Sequence, residues 1–204
     1  MRIAIMGTGK MGRYLGMGWS QVGHRIVFGS RRPEDKADLR AELPAATVTS
    51  HTEALAETEL VVLALPYIAV EPFARQHAAQ LRDKLVLDIS NPFSHLPDNR
   101  ISGAEITAAA IGPGARVVAG FKDNFWQTLL EPVDASGLVR DVHYAGDDEV
   151  DKQIVKQLIE DLGFRPVDCG PLTNARVLDV MVPLMLELDQ RYGGGRKSSW
   201  KFLI

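Results

Sequence analysis

Apolar residues over the first two thirds of the chain fall into short unbroken runs, set apart by amphipathic stretches and turn residues. Arg2-Ile3-Ala4-Ile5-Met6, Leu60-Val61-Val62-Leu63-Ala64-Leu65, Lys84-Leu85-Val86-Leu87-Asp88-Ile89 and Arg116-Val117-Val118-Ala119-Gly120-Phe121 carry such runs, 25–29 is a shorter one, and 47–50 reads as a further short strand. A strand covered on both faces reads this way, whereas a strand with one wet face alternates. The intervening segments 10–22, 33–42, 51–57, 70–81 and a stretch ending at Ala110 have helical character. Strands alternating with helices predict an α/β fold of the Rossmann type: a doubly wound, mostly parallel sheet.

The rhythm changes after residue 140. Segments 141–145 and 165–168 read as short strands around a helix over 149–162, whose apolar stripe is Ile154, Val155, Leu158, Ile159 and Leu162. A last helix over 174–191 is apolar around nearly its whole circumference, which predicts burial on several sides. It suits a subunit interface, packing on its own sheet, or both, and Pro183 is expected to kink it or weaken one hydrogen bond. The division expected is a dinucleotide-binding domain over 1–140 and a small C-terminal α/β extension over 141–204 for substrate or dimerisation, or one continuous domain.

Between the first strand and the first helix stands Gly7-Thr8-Gly9-Lys10-Met11-Gly12. In that setting a G-x-G-x-x-G loop is a dinucleotide signature. The first glycine permits the turn, the second lets backbone approach a pyrophosphate, and the third lets helix pack on strand. The helix start offers free N–H groups and a positive dipole end to phosphate. NAD-binding units end their second strand on an acidic residue that holds the ribose hydroxyls. Here Ser30-Arg31-Arg32 occupies that place. Guanidinium forks match phosphate oxygens, so a 2′-phosphate and NADP are expected, the alternative being a solvated basic turn. Ligands of open α/β sheets lie beyond the carboxyl ends of the strands. That rule marks 7–12, Leu65-Pro66-Tyr67, Ser90-Asn91-Pro92 and 121–126.

Composition narrows the classes. With 23 Lys and Arg against 26 Asp and Glu, the net charge of −3 disfavours a nucleic-acid partner. The single cysteine, Cys169, leaves no intrachain disulfide and fits a reducing compartment. His24, His51, His77 and His143 lack metal-ligand spacing, so no metal is expected. No apolar run reaches the ~18 residues of a membrane span, and the opening strand does not read as a leader. A cytoplasmic protein without membrane partners is the expectation.

The opening MRIAIMGTGKMG, the strand end GSRRPE and the segment AGDDEVDKQIVKQLIEDLGFRPVDCGPLTNARVLDVMVPLMLEL resemble the coenzyme F420-dependent NADP oxidoreductases. The resemblance implies a small homodimer that moves a hydride between NADPH and a deazaflavin. It assigns Thr8, Gly9, Lys10 and Met11 to the pyrophosphate and Ser30, Arg31 and Arg32 to the 2′-phosphate. Leu65, Pro66 and Tyr67 would line the nicotinamide, with Asn91 and Pro92 nearby. The family's substrate loop usually reads V-V-K-A-F-N-T, whereas this chain reads Val117-Val118-Ala119-Gly120-Phe121-Lys122-Asp123.

That loop holds the candidate chemistry. Hydride exchange between two bound rings needs orientation rather than an acid, whereas reduction of a carbonyl or imine needs a proton donor or electrostatic clamp. Lys122 and Asp123 are candidates for that role, or a solvated pair at a strand end. Phe121, Asn124 and Trp126 are candidate substrate contacts, with Phe125 and Trp126 either a stacking wall or core. Tyr67 suits the nicotinamide or a loop anchor, and His95 a substrate contact or solvent. Alternative acceptors are a flavin, a quinone or a small carbonyl or imine compound; a non-catalytic NADPH sensor is the alternative of another class.

Overall fold

In chain order the computed structural model contains β1 (Arg2–Met6), α1 (Lys10–Gln21), β2 (Arg25–Ser30), α2 (Ala37–Glu42), β3 (Thr47–Ser50), α3 (His51–Ala56), β4 (Leu60–Leu63), α4 (Tyr67–Gln76), α5 (Ala78–Leu81), β5 (Leu85–Asp88), α6 (Gly103–Ile111), β6 (Arg116–Gly120), β7 (Asp141–Gly146), α7 (Glu149–Asp161), β8 (Arg165–Asp168) and α8 (Ala175–Arg191). It describes residues 1–56, 58–93, 95 and 100–204. Among these, eight strands form one sheet in the order β3-β2-β1-β4-β5-β6-β7-β8. Pairing is parallel from β3 to β6, antiparallel between β6 and β7, and parallel again between β7 and β8. The fold is of the Rossmann type, with the sheet running without a break past residue 140.

Each buried run feeds both faces. Ile3, Ile5, Phe28, Val62 and Leu87 join a core with Leu15 and Trp19 of α1 and Leu158 of α7. Ala4, Met6, Val61, Leu63 and Val86 join a second core with Phe73 of α4 and Ala104 of α6. The first core ties the ends of the chain together. Trp19 Nε1 donates to the Leu158 carbonyl at 2.9 Å, and a side chain on Gly18 would meet Leu162.

Helix bounds differ from the sequence reading where local chemistry intervenes. The helix expected over 33–42 is a 3-10 turn, Pro33–Asp35, then α2, because Lys36 between them is not helical (φ −110°, ψ 39°). The segment read as 70–81 starts at Tyr67, directly after Pro66, whose carbonyl accepts from Ala69 N at 2.8 Å. It breaks at His77 into α4 and α5. The helix through Ala110 begins on a capping box formed by Ser102 and Glu105. α8 runs through Pro183 as one helix; it buries Leu178, Val182 and Met185 and leaves Val177, Val180 and Leu184 exposed. The expected burial on several sides is therefore confined to the inner face of the chain itself. Among the described residues, no helix is long and apolar enough to cross a membrane.

Candidate active site

The chain winds from β1 outward to β3 and then returns to β4 on the other side of β1. The loops after β1 and β4 therefore part company, and a cleft of about 1500 Å3 opens between them. Residues 7–11, 29–32, 64–69 and 89–91 line it, with Phe93 and His95 at one end and Asp35, Lys36, His51 and Phe73 at the other.

The glycine loop is shaped by steric need. Gly7 has φ +112°, and a Cβ there would overlap the Ala64 carbonyl. A Cβ on Gly12 would lie 2.8 Å from the Gly7 carbonyl oxygen and 3.1 Å from the Ala64 and Ile5 side chains. Gly12 is thus a packing residue and does not line the cleft. Gly9 differs: it caps α1 in extended conformation, and a Cβ there would meet nothing within 4 Å. α1 has no side-chain cap and no acidic residue in its first turn. Its leading N–H groups face the cleft as a donor set suited to an anion. Arg13 steadies the loop from below, giving Nε to the Thr8 carbonyl at 2.9 Å and its guanidinium to Asp38 and Glu42 of α2.

At the end of β2, Ser30 is buried and its Oγ accepts from Arg32 N at 3.2 Å. Arg31 and Arg32 are exposed, and the Arg32 guanidinium lies 3.9 Å from Asp35. Lys36 adds a third cation to this rim. His51 packs edge-on against Phe73, ring centroids 5.1 Å apart. Burial, with the charges of His77 and Arg31, holds its pKa below the ordinary 6.5, so the ring is neutral at neutral pH.

The other end is built from Leu65, Pro66, Tyr67, Ile68, Ile89, Ser90 and Asn91. The Tyr67 ring lies against Gly103, where a Cβ would meet it at 2.8 Å. Burial, and behind it the Asp179 and Asp88 charges, raise the Tyr67 pKa. His95 Nδ1 donates to the Pro92 carbonyl at 2.9 Å, and its ring leans on Tyr67 at 6.4 Å. Pro92 is buried beneath this end and does not line it.

The 121–126 loop stays out of the cleft. Phe121 is fully buried between Trp19 and Phe164. Lys122 is fully buried, 2.9 Å from Asp179. Asp123 accepts from His143 Nδ1 at 2.7 Å, and Asn124 Nδ2 donates to the Asp141 carbonyl at 3.1 Å. Lys122 and Asp123 are thus buried framework groups here, not a solvated strand-end pair and not a cleft-facing acid. Phe125 is core, packed with Val182 and Met185 of α8. Trp126 is partly exposed beside the glycine loop, with Lys10 Nζ 4.2 Å from its ring centroid and Tyr14 edge-on at 5.0 Å. Burial pushes the Cys169 thiol up to about 11, an unreactive protonated thiol. Among the described residues no group of three or more His, Cys, Asp or Glu could hold a metal.

Sequence reasoning missed Lys36, His51, Phe73 and Ile68 as cleft residues. Lys36 had a signal, since it follows Arg31-Arg32 within one turn. His51, Ile68 and Phe73 sit on helix faces that read as ordinary amphipathic pattern.

Residues 2–92 match the family model described as NADP oxidoreductase, coenzyme F420-dependent. The F420-dependent NADP reductase of Methanothermobacter thermautotrophicus is 27% identical over 94% of this chain and 90% of its own. Metalloreductase STEAP3 of Rattus norvegicus is 31% identical over 91% of this chain, which spans only 37% of that protein. A crystal structure described provisionally as an F420-dependent NADP reductase of Arthrobacter sp. FB24 superposes with a TM-score of 0.91 at 27% identity, covering 100% of both chains. The cleft at the sheet's switch point, its uncapped helix start and its cationic rim fit NADP(H), and with its similarity over residues 2–92 to the coenzyme F420-dependent NADP oxidoreductases the chain is an NADP-dependent oxidoreductase.

Proposed function

We propose that this protein carries out hydride exchange between NADPH and an oxidised deazaflavin of the coenzyme F420 type. What carries the reading is the likeness along nearly the whole chain to F420-dependent NADP reductases. The form of the cleft agrees with it. The backbone of Thr8, Gly9, Lys10 and Met11, between Gly7 and the packing residue Gly12, takes the diphosphate. Ser30, Arg31 and Arg32, with Lys36, take the 2′-phosphate. His51 and Phe73 wall the adenine. Leu65, Pro66, Tyr67 and Asn91, with Pro92 beneath, take the nicotinamide.

The cofactor supplies the hydride; the chain binds, orients and keeps water out. Ile68 and Phe93, 68% and 51% exposed at the nicotinamide end, give a planar acceptor an apolar seat. Holding two carbons at near-attack distance can supply ~7–11 kcal/mol of the barrier without a catalytic acid. The net reaction takes one proton from solvent as NADPH and oxidised deazaflavin become NADP+ and reduced deazaflavin. Trp126 serves this site at one remove by fixing Lys10. The exposed α8 stripe of Val177, Val180 and Leu184 pairs with a second copy, making a homodimer; Leu184→Glu should then yield monomers in sedimentation velocity.

Stopped-flow oxidation of NADPH against a panel of acceptors tests the reading. Deazaflavin should outpace flavin, quinone, ferric chelate and cyclic imine by orders of magnitude. Equal or slower turnover with deazaflavin refutes it, and tight NADPH binding with no acceptor reduced supports the sensor instead.

A further inference from the structure

Behind the nicotinamide end of the cleft lies a set of buried charges that the proposed reaction does not use. Lys122 Nζ has no solvent exposure; it sits 2.9 Å from Asp179 Oδ1 on α8 and 3.7 Å from Asp88 Oδ1 at the end of β5. It donates to the Ser90 carbonyl at 2.5 Å. Asp88 is held in turn, accepting from Ser90 N at 2.9 Å, Ser90 Oγ at 2.7 Å and Thr107 Oγ1 of α6 at 2.7 Å. Asp179 Oδ2 accepts from Gly103 N at 2.8 Å, the residue on which the Tyr67 ring rests. One contact runs the other way: Asn91 Nδ2 donates to the Lys122 carbonyl at 2.7 Å.

Lysine is almost never fully buried unless paired. A buried ion pair is poor value as a stabiliser, because desolvation offsets the attraction and an apolar replacement of equal volume does as well. A role in fold stability is thus a weak reason for this arrangement. Its bonds converge on Ser90 and Asn91, two residues of the cleft wall, and through Gly103 on the seat of Tyr67.

We propose that Lys122 is a positioning residue for hydride transfer. Clamped by Asp179 and Asp88, its ammonium fixes the Ser90 carbonyl while its own carbonyl fixes Asn91. The wall beside the reacting ring is thereby held in one conformation. The proposal rests on the cofactor placement given above, but not on which acceptor is reduced. Since the phosphates bind at the far end of the cleft, loosening this wall should slow transfer while leaving most of the affinity intact.

The test is the double variant Lys122→Met/Asp179→Asn. It removes the Lys122–Asp179 charge pair, leaves Asp88 on its Ser90 and Thr107 hydrogen bonds, keeps the side-chain volumes and leaves an oxygen to accept from Gly103 N. NADPH affinity by calorimetry should stay within about threefold of wild type. The single-turnover rate, read with whichever acceptor supports turnover, should fall about 10–100-fold, the range a small misplacement produces. The deuterium isotope effect with C4-deuterated NADPH should rise as chemistry becomes limiting. A merely structural role would instead lower melting temperature and affinity together and leave the isotope effect alone. A folded variant with wild-type rate and isotope effect overturns the proposal. Should the double variant not fold, Asp179→Asn alone is read by the same criteria and overturns it by the same result. Failure of the underlying cofactor placement shows separately, as wild-type NADPH affinity after loss of Arg31 and Arg32.

Discussion

Replacing Arg31 and Arg32 together by alanine should remove most of the preference for NADPH over NADH. Hydrogen bonds to charged groups contribute about 1.5–3 kcal/mol each when well sheltered. These two arginines are not sheltered: the Arg32 side chain is 77% exposed and shares its charge with Asp35 at 3.9 Å. The lower end applies, about 1–1.5 kcal/mol per guanidinium and about 2–3 kcal/mol for both. At 1.4 kcal/mol per tenfold, NADPH should bind about 30–100-fold more weakly. NADH has no phosphate at that position and should change by less than about twofold. Lys36 and the buried Ser30 remain, so some preference should survive. Calorimetric titration of both coenzymes at low and physiological salt measures this. The wild-type preference should shrink as salt rises, because exposed charges are screened over about 10 Å, and the variant should show little salt dependence. Equal losses for the two coenzymes, or a NADPH loss below threefold, would refute the assignment of this rim to the 2′-phosphate.

Other consequences can be measured independently. Gly9→Ala should leave the melting temperature unchanged, since nothing lies within 4 Å of its Cβ, yet weaken NADPH where the diphosphate must approach; Gly12→Ala, 2.8 Å from a carbonyl oxygen, should lower the melting temperature first. Asp141, which accepts from Arg165, Lys201 and Phe202 N, is held at about 2 against an ordinary 3.8. This depressed folded value contributes about 2 kcal/mol at neutral pH that is lost as pH falls from about 4 to 2. Asp141→Asn should therefore be less stable in urea at pH 7 and converge on wild type near pH 2. The Asp123 hydrogen bond and charge outweigh the burial of His143 and raise its pKa. That contribution is complete below 6.5 and lost as pH rises through the raised value. His143→Gln should accordingly flatten the decline of melting temperature above pH 6.5, and an unchanged decline would assign it to another group.

The sheet was readable from sequence because strands buried on both faces must be largely apolar, as Leu60–Leu63 is throughout and Leu85–Asp88 is up to its closing aspartate. The glycine loop was readable because backbone crowding at Gly7 and Gly12 admits no side chain. What escaped was set by approach across the fold. His51 and Phe73 belong to different helices and meet only when α3 and α4 pack into the same core against the sheet. In sequence Lys122 reads as a proton donor or clamp at the site edge, or as a solvated strand-end cation. Phe121, at φ +54°, turns the chain just before it, and the lysine enters the packed layer towards Asp179, more than fifty residues away. The periodicity of α8 likewise showed an apolar helix without showing which side its own sheet would cover.

The α1–α7 seam has a bearing on how the molecule is made. Trp19 and Gly18 belong to the helix that opens the cofactor cleft, and their partners Leu158 and Leu162 are translated long afterwards. Until those residues leave the ribosome, the back of α1 lacks its cover and β6 is an unpaired rim, the kind of edge that invites self-association. A nascent or prematurely terminated chain ending near residue 140 would thus hold every cofactor contact in its sequence and still lack the packing that keeps them in place.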